Sequence, residues 1–221
     1  VQPVSVADFL CFAARWQHAD QDALLEGPAG VVEVIRSLSG FDVPASAWED
    51  VLRARLAKYR PDWLDQLTLS GEVAWLRLWG SGNGPVKNAP LCLVPRAHLR
   101  AWLAWRKPET AELGSSAQTL RALLTRDGAS FADDCVRRSG LLPSQFEEGL
   151  AELVTRGVAT VDSFAALRAL CVAPSRRRDD ALSFGIGRIA LLPQVDETPD
   201  VEFVLDRLLA RWGVLFHKLL K

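Results

Sequence analysis

Basic and aromatic side chains alternate between residues 96 and 107, where the sequence is RAHLRAWLAWRK. This stretch holds four formal positive charges, from Arg96, Arg100, Arg106 and Lys107, and no acidic residue. A single nucleic-acid strand is bound by cations that neutralise phosphates and by aromatic rings that stack on bases, at roughly 1–3 kcal/mol per stacked base. The stretch is therefore a candidate nucleic-acid-binding segment.

The same stretch also has the period of an amphipathic helix. Leu99, Trp102 and Leu103 fall on one face of such a helix, so they would pack in a core while the basic side chains stay in solvent. Helical spacing favours core packing for Trp102 and Trp105. The four basic residues remain candidates for phosphate contact.

Trp75 and Arg77 form a second candidate pair. Residues 72–79 alternate in the manner of a strand whose other face is aliphatic. We therefore predict that Trp75 lies on the open face beside Arg77, where an indole next to a cation would stack on a base. Trp48, at the second position of a predicted helix, is a further candidate. The remaining sites are three consecutive arginines, Arg176, Arg177 and Arg178, whose charge is reduced by two following aspartates.

Other tryptophans lie among apolar positions that face inward in the predicted helices. We expect Trp16, Trp63 and Trp212 to be core residues for this reason.

No catalytic or metal-binding pattern accompanies these candidates. The sequence lacks the glycine-rich loop followed by Lys and Ser or Thr that holds nucleotide phosphates. The four cysteines, at 11, 92, 135 and 171, lack the short spacing of a zinc site. Adjacent carboxylates such as Asp133 and Asp134 point about 100° apart on a helix and cannot flank one bond. We expect no catalytic residue, no metal and no cofactor in this chain.

Composition limits the class of protein. The chain has 221 residues, 49% of them hydrophobic, and a formal net charge of −1, so it can bury a sizeable core and is not a polybasic phosphate binder. The sequence contains no long apolar run, and we expect no membrane span. Cysteines in apolar runs predict reduced thiols and a cytoplasmic location. Because the sequence contains no methionine, we expect a fragment of a longer protein.

The elements that position these residues form two similar groups. In the first, helices are predicted over 4–19, 28–38 and 62–69, with another beginning at a capping box at 46–49. Strands at 72–79 and 90–94 follow. In the second, helices are predicted over 115–126 and 130–140 and from a capping box at 144–147, followed by a strand at 158–162. Helices followed by a short ribbon outline a winged helix.

The C-terminal part predicts the beginning of a third such group, with a strand at 187–192 and helices beginning near 198 and 214. The predicted fold is mainly α with small β ribbons (α+β), built from tandem winged helices. The predicted divisions are a helical lead plus a first winged helix at 1–110, a second at 111–175, a basic linker at 176–186 and a truncated third at 187–221.

The third helices of both groups are acidic. In the usual docking mode this helix enters the major groove. Phosphate contacts supply most non-specific affinity, so acidic third helices disfavour that mode. In the second group the exposed face carries a net charge of −2, from Gln145, Glu147, Glu148, Glu152 and Arg156; the corresponding helix of the first group carries Asp62 and Asp65.

Ten short segments resemble, in the same order, segments of the large helicase-related (Lhr) family of superfamily 2 helicases. The resemblance covers about residues 6–220, and it departs from the family pattern at Ala132 and Ile189, where Phe and Trp are common. The segments are RWQH at 15–18, LEGP at 25–28, AWE at 47–49, WLD at 63–65, LSGEVAW at 69–75, GASF at 128–131, LLP at 141–143, LAELV at 150–154, DSFAALR at 162–168 and WGVLF at 212–216.

The resemblance implies an accessory domain that completes the helicase core of a DNA-dependent ATPase. That enzyme would translocate 3′ to 5′ on single-stranded DNA and unwind DNA and RNA–DNA duplexes in DNA repair. ATP and Mg²⁺ would bind the parent's RecA-like motor domains, and these domains and a winged helix of the same polypeptide would be partners. The architecture is also similar to that of bacterial DNA glycosylases built from tandem winged helices.

Three functions stay open at this point. The favoured one is a nucleic-acid-engaging accessory domain of a helicase, without chemistry of its own. The alternatives are a glycosylase-like domain that excises a damaged base and a winged-helix scaffold for protein contacts. Base excision needs a carboxylate or amide positioned in a pocket, and no such set stands out in the sequence.

Overall fold

The computed structural model describes residues 4–79, 82, 84–107, 112–172 and 187–217. These residues form the helices α1 (Val6–Trp16), α2 (Gly27–Ser37), α3 (Trp48–Arg53), α4 (Pro61–Leu69), α5 (Arg96–Trp105), α6 (Ser115–Asp127), α7 (Ala132–Ser139), α8 (Pro143–Thr155), α9 (Phe164–Cys171) and α10 (Val201–Trp212). The strands are β1 (Leu25–Glu26), β2 (Val43–Pro44), β3 (Leu56–Ala57), β4 (Val73–Leu76), β5 (Pro90–Pro95), β6 (Ser130–Phe131), β7 (Ala159–Val161) and β8 (Arg188–Leu191).

The first winged helix consists of α2, α3 and α4 and an antiparallel sheet in the order β2-β5-β4. Local sequence sets its boundaries. Prolines near the beginning of α2 and at the beginning of α4 supply the backbone angle of a first helical turn. Gly71, with φ of +77°, follows α4 and turns the chain into β4. The α+β winged-helix fold class is confirmed.

The second winged helix repeats this topology with α6, α7, α8 and an antiparallel sheet in the order β6-β8-β7. Its last strand corrects the expectation of a third winged helix beginning at residue 187. In β8, Ile189 pairs with Ser130 on one side and with Val161 on the other, so this strand is the centre of the second sheet. The pairing joins segments that are distant in sequence, and local patterns do not reveal it.

Two predicted capping boxes do not form. Ser46 donates its hydroxyl to the Lys87 carbonyl oxygen at 3.0 Å, and α3 begins without a side-chain cap. At α8 the N-cap is Leu142, so Ser144 lies inside the first turn, and the side chain of Gln145 accepts the Leu142 N–H at 3.0 Å. In both places the helix begins within a few residues of the predicted position.

The two winged helices share one hydrophobic core. Buried aliphatic and aromatic residues of α2, α4, β4 and β5 are continuous with those of α6, α8, β7 and α9. Across the junction, the hydroxyl of Thr160 on β7 donates to the carbonyl oxygen of Trp75 on β4 at 2.6 Å. Burial of a common apolar core is the main term that stabilises this arrangement.

Helices α1 and α10 pack against each other. Trp16 donates its indole N–H to the Ala210 carbonyl oxygen at 2.8 Å, yet it is 45% exposed, so the prediction that it is a core residue is wrong. Trp63 and Trp212 are half-buried. None of the described helices has both the length and the apolar character that a membrane span requires.

Candidate nucleic-acid interface

The two tryptophans predicted to stack on bases are core residues. Trp75 is 1% exposed and Trp48 is 0% exposed. The face of β4 that the alternation assigned to solvent lies in the main hydrophobic core, where Trp75 clusters with buried residues of α2, α3 and α4. The opposite face, with Leu76, joins a second apolar cluster that contains Trp102 of α5. The Trp48 indole N–H donates to the Leu91 carbonyl oxygen at 2.9 Å. Neither indole is available to a base, and both assignments are wrong.

Arg77 and Arg106 bind the end of α8 rather than lying free for phosphates. Arg77 is 7% exposed, and its guanidinium donates to the carbonyl oxygen of Thr155, the last residue of α8. Arg106 donates to the carbonyl oxygen of Gly157. Cations are favourable at a helix C-terminus, where carbonyl groups lack intrahelical partners. These two arginines therefore connect the winged helices.

The segment that follows β7 lies on the third helix of the first winged helix. We define the second wing as residues 162–172 of this segment, which contain α9. The Phe164 N–H donates to the Thr68 hydroxyl of α4 at 3.1 Å. Arg168 binds carboxylate oxygens of Asp65 on α4 and Glu49 on α3, each at 2.6 Å. This contact covers one side of α4.

The wing of the first winged helix lies in turn on the third helix of the second. This first wing, residues 77–89, includes a short 3₁₀ turn at Val86–Asn88 that contacts α8. A cavity of about 620 Å³ between them is lined by Lys87, Glu147 and Glu148, among others. A third helix enters the major groove only when its outer face is open. In this structure each wing covers part of the outer face of the third helix of the other unit.

Exposed basic residues remain on α5 and just after it. Arg96, Arg100 and Lys107 are exposed. Arg100 donates its Nε–H to Glu197 at 2.9 Å, and Arg96 donates its Nε–H to the Gly71 carbonyl oxygen at 3.0 Å.

The tryptophans of this helix face inward. Trp102 is buried, which confirms the core packing that helical spacing favours, and Trp105 is half-buried with its indole N–H donated to the Asp200 carbonyl oxygen at 3.3 Å. The remaining predicted site, Arg176, Arg177 and Arg178, lies outside the described residues.

A basic cleft of about 260 Å³ opens at the junction of the two winged helices. Its charged lining residues are Arg96 from the first unit and Asp162 and Arg188 from the second. Arg188 is not recognisable as a site residue from sequence alone, because its position depends on the pairing of β8 with β6 and β7. The other lining residues are Thr68, Val73, Ala74, Trp75, Leu99, Ala129, Thr160, Val161, Ala190 and Leu192.

Elsewhere in the described residues, the ionisable groups do not form a reactive site. The Cys92 thiol donates to Asp42 Oδ1 at 3.0 Å, and burial raises the pKa of both groups. A thiol with a raised pKa is a poor nucleophile at neutral pH. Among the described residues, no group of three or more His, Cys, Asp or Glu side chains is arranged to hold a metal ion.

Comparison with known proteins gives consistent results. Residues 4–96 match a family described as the large helicase-related protein, winged-helix domain. A relative from Mycolicibacterium smegmatis, named Lhr helicase/probable uracil glycosylase, is 29% identical and aligns with 97% of this chain. A relative from Escherichia coli, named Lhr helicase/uracil glycosylase, is 31% identical and aligns with 86%. The chain spans only 16% and 13% of the lengths of these two relatives.

The matched family region begins near α1 and ends at the first residue of α5, so it contains the whole first winged helix. The two relatives extend the similarity through most of the second. The chain belongs to the large helicase-related (Lhr) family.

Proposed function

We propose that this chain is a nucleic-acid-engaging accessory domain of an ATP-dependent 3′–5′ helicase that acts in DNA repair. In this proposal it supports single-strand binding and its coupling to unwinding, and it has no chemistry of its own. The observation that carries the proposal is the contrast between the two kinds of surface. The third helices lie against the wings, whereas α5 and the basic cleft keep arginine and lysine side chains exposed.

The expected strand contact is electrostatic and limited in extent. Three exposed cations, Arg96, Arg100 and Lys107, lie on or next to α5, and Arg188 is exposed on the other side of the cleft. Each phosphate neutralised on a single strand contributes about −0.7 to the slope of log affinity against log salt. A few contacts therefore predict weak binding with a shallow salt dependence.

The proposal is tested by titrating the chain into labelled single-stranded DNA, duplex DNA and an RNA–DNA hybrid, with fluorescence anisotropy at several salt concentrations. The double variant Arg100→Ala/Lys107→Ala should bind more weakly and with a smaller salt slope. Arg137→Ala is the matched control, because Arg137 is exposed on α7 and pairs with Asp134. A double variant that binds as the wild type does would contradict this placement of the strand.

Within the parent protein, ATP and Mg²⁺ would bind RecA-like motor domains, which together with a further winged helix would be this chain's intramolecular partners. The isolated chain should accordingly release no phosphate from ATP, with or without single-stranded DNA. Release that is stimulated by DNA and co-purifies with the chain would contradict the division of labour proposed here.

One observation favours base excision as a second candidate function. Both relatives carry uracil glycosylase in their names, and Asp162 is a carboxylate that lines the basic cleft. Its oxygens, however, accept the Arg188 N–H at 2.7 Å and approach Arg188 Nε at 3.4 Å. Incubation with uracil-containing DNA tests this function. If the wild type releases uracil and Asp162→Asn does not, the chain excises bases, and the proposal of a domain without chemistry is wrong.

A further inference from the structure

We propose that the basic cleft is a phosphate-binding site in which Arg96 and Arg188 hold one phosphate group between the two winged helices. This inference rests on the proposed function in one respect: the phosphate group is taken to belong to a nucleic-acid strand. The shared chemistry is a phosphate oxyanion, which occurs as an internal diester or as a terminal monoester.

The two arginines reach the cleft from different units and are both anchored. Arg96 is the first residue of α5, and its Nε donates to the Gly71 carbonyl oxygen at 3.0 Å. Arg188 is the first residue of β8, and its Nε lies 3.4 Å from Asp162 Oδ2. In the described part of the chain, the side-chain contacts of both guanidinium groups run through Nε. A guanidinium has five N–H donors, so the terminal nitrogens of each can bind an oxyanion.

The contacts with Asp162 orient the Arg188 side chain for phosphate binding. Asp162 also accepts the Arg188 backbone N–H at 2.7 Å, so the carboxylate fixes both the backbone and the side chain of this residue. A guanidinium that is already oriented loses less conformational entropy when it binds a phosphate bidentately. The Arg188 side chain is nevertheless 61% exposed, and a ligand can reach it from solvent.

The floor of the cleft is apolar. Val73, Trp75, Val161 and Leu192 line it and are buried. Charge–charge interactions are screened less beside such a surface than in open solvent. The volume of about 260 Å³ equals that of about nine water molecules in the liquid. This is room for a phosphate group with part of its hydration shell, but not for a duplex.

The N-terminus of α5 also favours the binding of an anion in the cleft. Pro95 is the N-cap, no side chain caps this end, and the first turn contains no acidic residue. Leu99, near the end of that turn, lines the cleft. The helix dipole favours an anion near a helix N-terminus, although the Arg96 backbone N–H itself donates to the Glu72 carbonyl oxygen at 2.8 Å. This effect supports a site that the two arginines define.

Binding of inorganic phosphate is the direct test, measured as the rise in melting temperature against sodium chloride of equal ionic strength. The wild type and the Arg137→Ala control should show a rise of about 5 °C near saturation. Arg96→Ala and Arg188→Ala should each lose most of it while keeping the melting temperature of the phosphate-free protein. A wild type without the rise, or an Arg188→Ala variant that retains it, would overturn the proposal.

Oligonucleotides of one sequence with a 5′-phosphate, a 3′-phosphate or no terminal phosphate separate the two sources. Binding that depends on Arg188 in all three assigns the site to an internal diester; dependence only with a terminal phosphate assigns it to a strand end. If oligonucleotides bind independently of Arg188 and inorganic phosphate does not bind, the cleft proposal fails and the proposed function stands. If phosphate binds through Arg188 and no oligonucleotide binds, the proposed function fails and the anion site stands.

Discussion

The guanidinium of Arg77 lies inside the junction of the two winged helices, where it donates to the end of α8 and to the carbonyl oxygens of Trp79 and Gly82 at 3.1 and 3.3 Å. Removing it leaves buried carbonyl groups without a donor. We expect Arg77→Ala to lower the free energy of unfolding by about 3 kcal/mol.

Urea denaturation measures this effect, with Arg53→Ala as the control because Arg53 is exposed on α3. Arg77→Lys should recover only part of the loss, since an ammonium group cannot reproduce the planar set of donors. Equal stability of Arg77→Ala and the wild type would show that the buried contact contributes nothing.

Trp75 offers a second test at the residue scale. Its indole ring is buried, while the indole N–H has no hydrogen-bond acceptor in the part of the chain that the structure describes. Trp75→Ala should cost about 3–5 kcal/mol of stability through loss of the ring. Trp75→Phe should cost much less, because it keeps an aromatic ring and removes an unsatisfied donor. The urea midpoints of the two variants test this expectation. A large loss only in Trp75→Ala indicates that the ring stabilises the core by packing, whereas an equal loss in both indicates that the indole N–H contributes.

His98 gives the molecule a pH dependence near neutrality. Burial lowers the pKa of His98, and the nearby charges of Arg207 and Arg36 lower it further. The unfolded chain therefore takes up a proton at a higher pH than the folded protein does. The contribution of neutral His98 to the free energy of unfolding is fully present above its ordinary pKa of about 6.5. This contribution is lost as the pH is lowered through the folded-state pKa.

Urea midpoints at a series of pH values from neutral to mildly acidic should show this decline. The decline should be smaller in His98→Gln. An identical decline in both proteins would assign the effect to other groups.

Sequence predicts single residues well where their surroundings are local. The inward position of Trp102 follows from helical spacing within α5 and is confirmed. Alternation within β4 does not place Trp75 in solvent, because both faces of that strand are covered, one by the main core and the other by the apolar cluster that contains Trp102. Local sequence does not indicate a role for Arg188 either, because the cleft forms only where two segments distant in sequence meet.

At the scale of elements, the wings decide what the third helices can do. Arg168 joins α9 to both α3 and α4 through two carboxylates that are themselves mostly buried. We expect Arg168→Ala to loosen this contact and to raise the rate of amide hydrogen exchange in α9 more than in α6. Protection in α9 that is unchanged by the substitution would show that the wing is held by its apolar residues alone.

The sequence predicts most helices to within a few residues of their ends, because prolines, glycines and apolar periodicity mark them locally. The strand order was not predictable in the same way. The sequence places a strand at 187–192, but whether it joins an existing sheet or begins a new winged helix depends on its partners. The structure assigns it to the centre of the second sheet.

The two winged helices share one continuous core and together support the basic cleft. The same packing accounts for the acidic composition of the third helices. A third helix that packs against a neighbouring unit does not contact phosphates, so basic residues on it would not contribute to nucleic-acid binding. The net charge of −1 is then compatible with a local nucleic-acid site, since Arg96, Arg100, Lys107 and Arg188 are exposed at α5 and the cleft.

The most direct test of this account compares the affinity of one single-stranded oligonucleotide for two variants of the chain. Arg96→Ala/Arg188→Ala removes the cleft cations, whereas Gln66→Ala/Gln145→Ala removes exposed polar side chains from α4 and α8. We predict an affinity loss of about tenfold or more for the first variant and an unchanged affinity for the second. Loss of binding in the third-helix variant, with wild-type affinity in the cleft variant, would contradict the account.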